Sequence, residues 1–225
     1  MSKSLFRRRL SAPAISFVCA FAILSTESPA AVLTFEANTE FSGATAPSGT
    51  APWLTATFDD NNTIGSVRMT LWANNLTDTE FVSLMYFNLD PVLDPMELFF
   101  SDMTKVGNFA NPTISLGVDL FKADGDGFFD ILIAFAIGGG KNNRFTDGDS
   151  VSFTITGIPT LTAESFNFMS APGDSDIGPF PMAAHVQGTG PYGEESGWVT
   201  VPEPMSLSLM GIGMLALTRR RRAER

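Results

Sequence analysis

The sequence contains very few of the residues that form covalent cross-links or zinc sites. Its 225 residues include one cysteine, Cys19, and one histidine, His185. A single cysteine cannot form an intramolecular disulfide, and a single histidine cannot provide the paired imidazoles that many zinc sites use. The sequence therefore excludes a disulfide framework and gives no support to a zinc enzyme.

Basic residues are scarce in the middle of the chain. Between residues 31 and 200 there are five Lys and Arg against 21 Asp and Glu, a net charge of −16, whereas the whole chain carries −10. Nucleic acids and anionic lipids attract proteins mainly through positive charge, so we expect this segment to bind neither. Cations are the charged partners that suit it.

Positive charge is found instead at the two ends. Near the N-terminus, Lys3 and three arginines precede an apolar run, Ala14–Leu24, and then the small residues Ser28-Pro29-Ala30. This order predicts a secretory signal peptide over residues 1–30, cleaved between Ala30 and Ala31. Eleven apolar-rich residues are too few for a membrane helix. We therefore expect the Sec translocon and signal peptidase to be partners of the chain.

The C-terminal end, residues 201–225, has three parts in a fixed order. Pro202-Glu203-Pro204 comes first, and the apolar run Met205–Leu217 follows. As a helix this run reaches about 20 Å, against a hydrocarbon core of about 30 Å. This run predicts a short transmembrane helix. A span of this length favours transient insertion in the membrane over the alternative, a permanent membrane anchor. The last part is a basic cluster that marks the cytoplasmic side: Arg219, Arg220, Arg221 and Arg222.

These three parts together resemble the PEP-CTERM sorting domain of exopolysaccharide-producing bacteria. The resemblance covers about a tenth of the chain and depends on the tripeptide Pro202-Glu203-Pro204, the short span and the terminal arginines. It implies processing near the tripeptide by an exosortase, a membrane transpeptidase-like enzyme, during transient insertion in the inner membrane. The upstream domain would then reach the cell envelope, the outer surface or the extracellular matrix. The resemblance therefore implies where the domain is delivered, but it implies no biochemical activity.

Residues 31–200 have the pattern of short strands separated by Gly, Asn and Asp turns. In Val67–Ala73 a continuously apolar face alternates with a more polar one, which is typical of a half-buried strand, whereas Phe81–Phe87 is apolar on both faces. No amphipathic helix of ten residues is evident. We predict an all-β fold, a single antiparallel β-sandwich of jelly-roll or Ig-like type. The other predicted strands are Val32–Glu36, Trp53–Phe58, Ile114–Phe121, Phe129–Ile137, Val151–Thr156, Ser165–Phe168, Met182–Gln187 and Trp198–Thr200. Met96–Phe100 is predicted to be either a weaker strand or a single helical turn.

One acidic segment suggests calcium. Asp124, Asp126 and Asp130 lie close together in a glycine-containing turn, and clustered carboxylate oxygens are what Ca²⁺ requires. The segment lacks the distal glutamate of an EF-hand loop, so the alternative is an acidic hairpin turn. Calcium is the only cofactor for which the sequence gives a hypothesis.

Two further features bear on function. His185 could serve a hydrolase with a serine and an aspartate, but no Gly-x-Ser-x-Gly segment is present, which favours a structural histidine. Trp53, Trp72 and Trp198 could stack on sugar rings, although tryptophans in a sandwich more often lie in the core.

Three hypotheses for function result. We favour a non-catalytic, structural or adhesive protein of exopolysaccharide or biofilm material. The alternative is a carbohydrate-binding module with structural calcium. A glycan-active hydrolase is the third, because the setting is rich in polysaccharide.

Overall fold

The computed structural model describes residues 30–125, 127–174 and 177–202, and these residues form two packed β-sheets. The predicted signal peptide (but for Ala30) and the predicted transmembrane helix lie outside the described residues. Within them, no helix has the length and apolar character needed to cross a membrane. The strands are β1 (Val32–Ala37), β2 (Thr39–Glu40), β3 (Leu54–Asp59), β4 (Val67–Ala73), β5 (Phe81–Phe87), β6 (Phe99–Val106), β7 (Thr113–Lys122), β8 (Gly127–Ala134), β9 (Ser150–Thr156), β10 (Ala171–Pro172), β11 (Met182–Thr189) and β12 (Glu195–Thr200). Two short 3₁₀-helices, η1 (Pro95–Glu97) and η2 (Ala163–Phe166), accompany them.

The first sheet has five strands in the order β1-β3-β4-β9-β6, and every pairing in it is antiparallel. The second sheet has the order β10-β8-β5-β11-β12-β2, with β7 paired to β8 as well. Its pairings are also antiparallel. The prediction of an all-β antiparallel sandwich is confirmed.

The core lies between the two sheets and takes apolar side chains from both. In β4 every second residue is buried, with Met69 and Leu71 inside, while β9 contributes Val151 and Phe153 by the same alternation. The second sheet supplies inward-facing residues of β5, β8 and β11 to this cluster. A smaller apolar cluster lies on the other side of the second sheet, around Tyr86. The second sheet is therefore covered on both faces, whereas the first sheet has one face toward solvent.

One strand prediction was wrong. Ser165–Phe168 was expected to be a strand, but Ala163–Phe166 forms the 3₁₀-helix η2. The Ser165 hydroxyl accepts a hydrogen bond from the Thr162 N–H at 3.1 Å, which favours a helical turn over an extended chain. The turn directs Phe166 into the core, where its ring stacks on Phe58 at 4.4 Å.

Candidate binding face

The solvent-facing side of the first sheet, called here the outer face, carries an unusually regular set of side chains. The strands alternate, so one residue in two points away from the core. On β3 these residues are Thr55 and Thr57, and on β4 they are Arg68, Thr70 and Trp72. The outward positions of β9 are all Ser or Thr. The outer face is thus built mainly from hydroxyl-bearing side chains.

Five of these hydroxyl side chains form one row across the sheet, called here the hydroxyl row. The strand register pairs each of them with the next, from the β1 edge to the β6 edge. Adjacent strands lie about 4.8 Å apart, so the row is about 19 Å long. Its members in spatial order are Thr34, Thr57, Thr70, Ser152 and Thr104.

Three of the five hydroxyls of the row are held in place by hydrogen bonds, two of them to each other and one to Arg68. Thr70 Oγ1 and Ser152 Oγ are hydrogen-bonded at 2.9 Å. The Arg68 guanidinium donates from Nη2 to Thr104 Oγ1 at 3.0 Å. A β-branched threonine also has few rotamers in a strand, so the row presents donors and acceptors in a pre-organised line.

Trp72 lies beside the hydroxyl row, two residues along β4 from Thr70. Its side chain is 50% exposed although it stands near the middle of the sheet, between Thr55 of β3 and Ser150 of β9. An indole with half its surface in water has a free apolar face and an N–H donor. Trp72 can therefore stack on a flat ligand that also contacts the hydroxyl row.

The charge on this face is small for so acidic a protein. Glu36 and Asp59 belong to its β1–β3 side, and Arg68 lies between them and the β9 strand. These three side chains of β1, β3 and β4 sum to −1, while residues 31–200 carry −16 in total. A neutral ligand that binds over these three strands displaces water from few charged groups, whose desolvation would be costly.

The other two tryptophans are placed differently. Trp53 is buried in the core, and its indole N–H donates to the Gly49 carbonyl at 2.7 Å. Trp198 lies on β12 and is half-buried on the side of the second sheet that faces away from the main core. Its ring stacks on the His185 ring, with 4.6 Å between the centroids, and lies 5.6 Å from the Tyr86 ring. The sequence hypothesis of three sugar-stacking tryptophans therefore reduces to Trp72.

His185 lies beside a serine that the sequence did not identify. Ser83 Oγ is 3.0 Å from His185 Nδ1 and donates to the His185 carbonyl at 3.2 Å. Ser83 is only 1% exposed, so its hydroxyl is out of reach of a substrate. Burial lowers the pKa of His185, and the carboxylate of Asp124 opposes this shift in part. The arrangement is that of a neutral histidine fixed within the sheet.

We predict that His185 contributes to acid sensitivity. A histidine whose folded pKa lies below its ordinary value of about 6.5 is protonated first in the unfolded chain, so folding loses stability as pH falls through that value. The melting temperature of the wild-type protein should fall more between pH 7 and pH 5 than that of His185→Phe, which keeps a ring on Trp198. Equal slopes for the two proteins would contradict this prediction. Ionisation of the many carboxylates is common to both and cancels in the comparison.

The residues of the calcium hypothesis have different surroundings in the structure. Asp130 is buried, and its two oxygens accept hydrogen bonds from the backbone N–H groups of Leu89 and Asp119, both at 2.9 Å. Burial raises the pKa of Asp130, although these hydrogen bonds act against the shift. Asp124 acts electrostatically on His185. Asp126 lies outside the described residues, among which no group of three acidic, His or Cys side chains is placed to hold a metal ion. Calcium binding stays a prediction.

The folded domain continues directly into the predicted sorting motif. Thr200, the last residue of β12, is buried, and its hydroxyl donates to the Met182 carbonyl at 2.6 Å. Its own carbonyl accepts from Asn38 N–H at 3.1 Å. Val201 still packs against the core, and Pro202 is exposed. Glu203, Pro204 and Arg219 to Arg222 lie outside the described residues.

Together, these features define an acidic all-β domain followed at once by a candidate C-terminal sorting segment. Residues 200–222 match the family model of the PEP-CTERM protein-sorting motif. The chain therefore carries a PEP-CTERM sorting motif over these residues, and the motif implies export, transient membrane anchoring and processing by an exosortase. No curated protein and no solved structure gives a significant match to the chain.

Proposed function

We propose that this protein is a non-catalytic structural or adhesive component of extracellular polysaccharide material, and that its outer face binds an uncharged polysaccharide. The sorting motif supports delivery to the cell surface. The observation that carries the binding role is the half-exposed Trp72 beside the five-membered hydroxyl row. The adhesive role and the carbohydrate-binding alternative then describe the same surface.

The chemistry of the outer face suits such a ligand. A neutral sugar ring has an apolar side, formed by its C–H groups, and a rim of hydroxyls. The Trp72 indole can stack on the apolar C–H side of the ring, while Thr and Ser side chains can donate hydrogen bonds to the sugar hydroxyls and accept hydrogen bonds from them. The row runs across all five strands, so an extended chain of several sugars could contact it along its length. A repeated weak contact of this kind favours adhesion over tight capture of a single sugar.

The same structure gives less support to the hydrolase hypothesis. The serine nearest to His185, Ser83, is buried and already hydrogen-bonded to a backbone carbonyl. Trp72 and the hydroxyl row have no histidine beside them, because His185 belongs to the other sheet. We therefore propose that the protein acts by binding alone.

Substitution of Trp72 should weaken polysaccharide binding without loss of the fold. In Trp72→Ala we expect the dissociation constant for an insoluble neutral glucan or galactan to rise about tenfold, since aromatic stacking contributes roughly 1 kcal/mol or more. Co-sedimentation of residues 31–200 with the polysaccharide measures this. Tyr192→Ala is the matched control, because Tyr192 is 87% exposed in the loop between β11 and β12, which belong to the second sheet.

Two outcomes would contradict the proposal. One is a flat response of the wild-type protein across an array of neutral and charged glycans. The other is an equal loss of binding in Trp72→Ala and Tyr192→Ala. In cells, a strain that lacks the gene should form flocs or biofilm of altered texture, and Trp72→Ala should fail to restore it. Restoration of texture by Trp72→Ala would count against the outer face.

A further inference from the structure

The first residue of the predicted mature chain is held by a buried carboxylate. Ala31 N–H donates to Asp60 Oδ1 at 3.1 Å, and the Ala31 carbonyl accepts from Asp60 N–H at 3.3 Å. The Ala31 side chain packs against the main core, whereas Ala30 is exposed. Among the residues that the structure describes, Ala31 is the first with these contacts, and it directly follows the predicted cleavage point.

Asp60 connects three separate parts of the fold. Its side chain is 8% exposed. Oδ1 accepts a second hydrogen bond from Asn62 N–H at 3.1 Å, in the β3–β4 turn, and Oδ2 accepts from Ala163 N–H at 3.3 Å, at the start of η2. All of these donors are uncharged amides while residue 30 is attached. The ion pair found among the described side chains, Lys122 with Asp174, does not involve Asp60.

Transfer of a carboxylate from water to a buried position is costly unless hydrogen bonds or an opposite charge offset it. The three amide hydrogen bonds to Asp60 offset part of this cost, and an opposite charge would offset more. Cleavage of the leader would supply that charge. Hydrolysis adds water across the Ala30–Ala31 peptide bond, so that Ala30 leaves with the new carboxyl group. Ala31 keeps the amine, which takes up a proton at neutral pH.

We propose that Asp60 is the binding site for the α-ammonium group of the mature chain, which forms when the leader is removed between Ala30 and Ala31. The contact then changes from an amide hydrogen bond to a charge-assisted one, which is shorter and stronger. Removal of the leader thereby stabilises the junction of β1, the β3–β4 turn and η2. The proposal depends on the cleavage point and is independent of polysaccharide binding.

The test compares two forms of residues 31–200, a segment that contains every strand of both described sheets and every buried residue of both apolar clusters. One form begins with a free Ala31 amine, and the other carries an Nα-acetyl group, which keeps the N–H donor and removes the charge. We expect the acetylated form to melt lower by about 3 °C or more. Equal melting temperatures would overturn the proposal.

Two variants assign the effect to Asp60. In Asp59→Asn, the neighbouring carboxylate is removed and the difference between the two forms should persist. In Asp60→Asn the difference should disappear, and its persistence there would overturn the proposal. If Asp60→Asn does not fold, a form that retains Ala30 serves instead, since it moves the charge by one residue and should melt as the acetylated form does. Mass spectrometry of the exported protein should show Ala31 as its first residue, and any other start would also overturn the proposal.

Discussion

Phe58→Ala is expected to lower the free energy of unfolding by about 3–5 kcal/mol, a large fraction of the total stability of a domain of this size. Phe58 has no exposed surface. Its ring contacts three others from different elements, at centroid distances of 6.0 Å to Phe35, 5.5 Å to Phe87 and 4.4 Å to Phe166. Phe87 belongs to the opposite sheet and Phe166 to η2, so the substitution leaves a cavity where β1, both sheets and η2 meet.

Denaturant unfolding of residues 31–200 measures this loss, with Trp72→Ala as the control. Trp72→Ala removes an even larger side chain from the next strand of the same sheet, but from a half-exposed position on the outer face, and should cost much less than Phe58→Ala. Similar losses in the two variants would show that the aromatic cluster around Phe58 does not govern stability. A protein that remained cooperative but lost its η2 contacts would show a smaller denaturant slope.

The strands were predictable because the side-chain alternation is local. In β4, Met69 and Leu71 are buried while Arg68 and Trp72 are exposed, as the period of two requires. The sequence alone therefore identified most strands and the sandwich class. η2 was missed because its stability comes from a single turn, capped by Ser165, and from a long-range contact between Phe166 and Phe58. No local periodicity reports such a contact.

The outer face was only half predictable. Alternation shows that Thr57, Thr70 and Ser152 point away from the core, but it cannot show that their strands are neighbours. The order β1-β3-β4-β9-β6 aligns Thr34 with Thr104 at the two ends of one row, although they are distant in sequence. A search for strands with Ser or Thr at every second position would have signalled such a face. Only the structure shows which tryptophan is available to a ligand, because Trp72 is half-exposed whereas Trp53 is buried.

Some acidic residues also have a structural role, which the net charge alone does not reveal. Several carboxylates are buried and connect loops, which a domain without cysteine cannot cross-link by disulfides. Glu80 accepts hydrogen bonds from Ser48 N–H at 2.7 Å and Thr77 N–H at 2.8 Å, and Asp130 connects Leu89 to Asp119. Part of the net charge of −16 therefore stabilises the sandwich and is not available for cations.

Glu203→Ala should abolish sorting and leave the domain folded. Glu203 is the central residue of Pro202-Glu203-Pro204, and the family match over residues 200–222 includes it. The two prolines restrict the backbone on both sides, so the carboxylate is the one charged group that an exosortase can recognise in the tripeptide. We expect unprocessed protein to accumulate in the inner membrane and processed protein at the surface or in the medium to fall at least tenfold, as measured by fractionation and immunoblotting.

The structure explains why sorting and folding should separate in this experiment. Among the residues that the structure describes, the last buried one is Thr200, held by Met182 and Asn38, and the substituted residue lies three positions beyond it. The melting temperature should therefore equal that of the wild type. Glu224→Ala is the matched control, because it removes a carboxylate from the same tail but outside residues 200–222. Normal export and processing of Glu203→Ala, or an equal defect in Glu224→Ala, would show that the tripeptide carboxylate is not what the sorting enzyme reads.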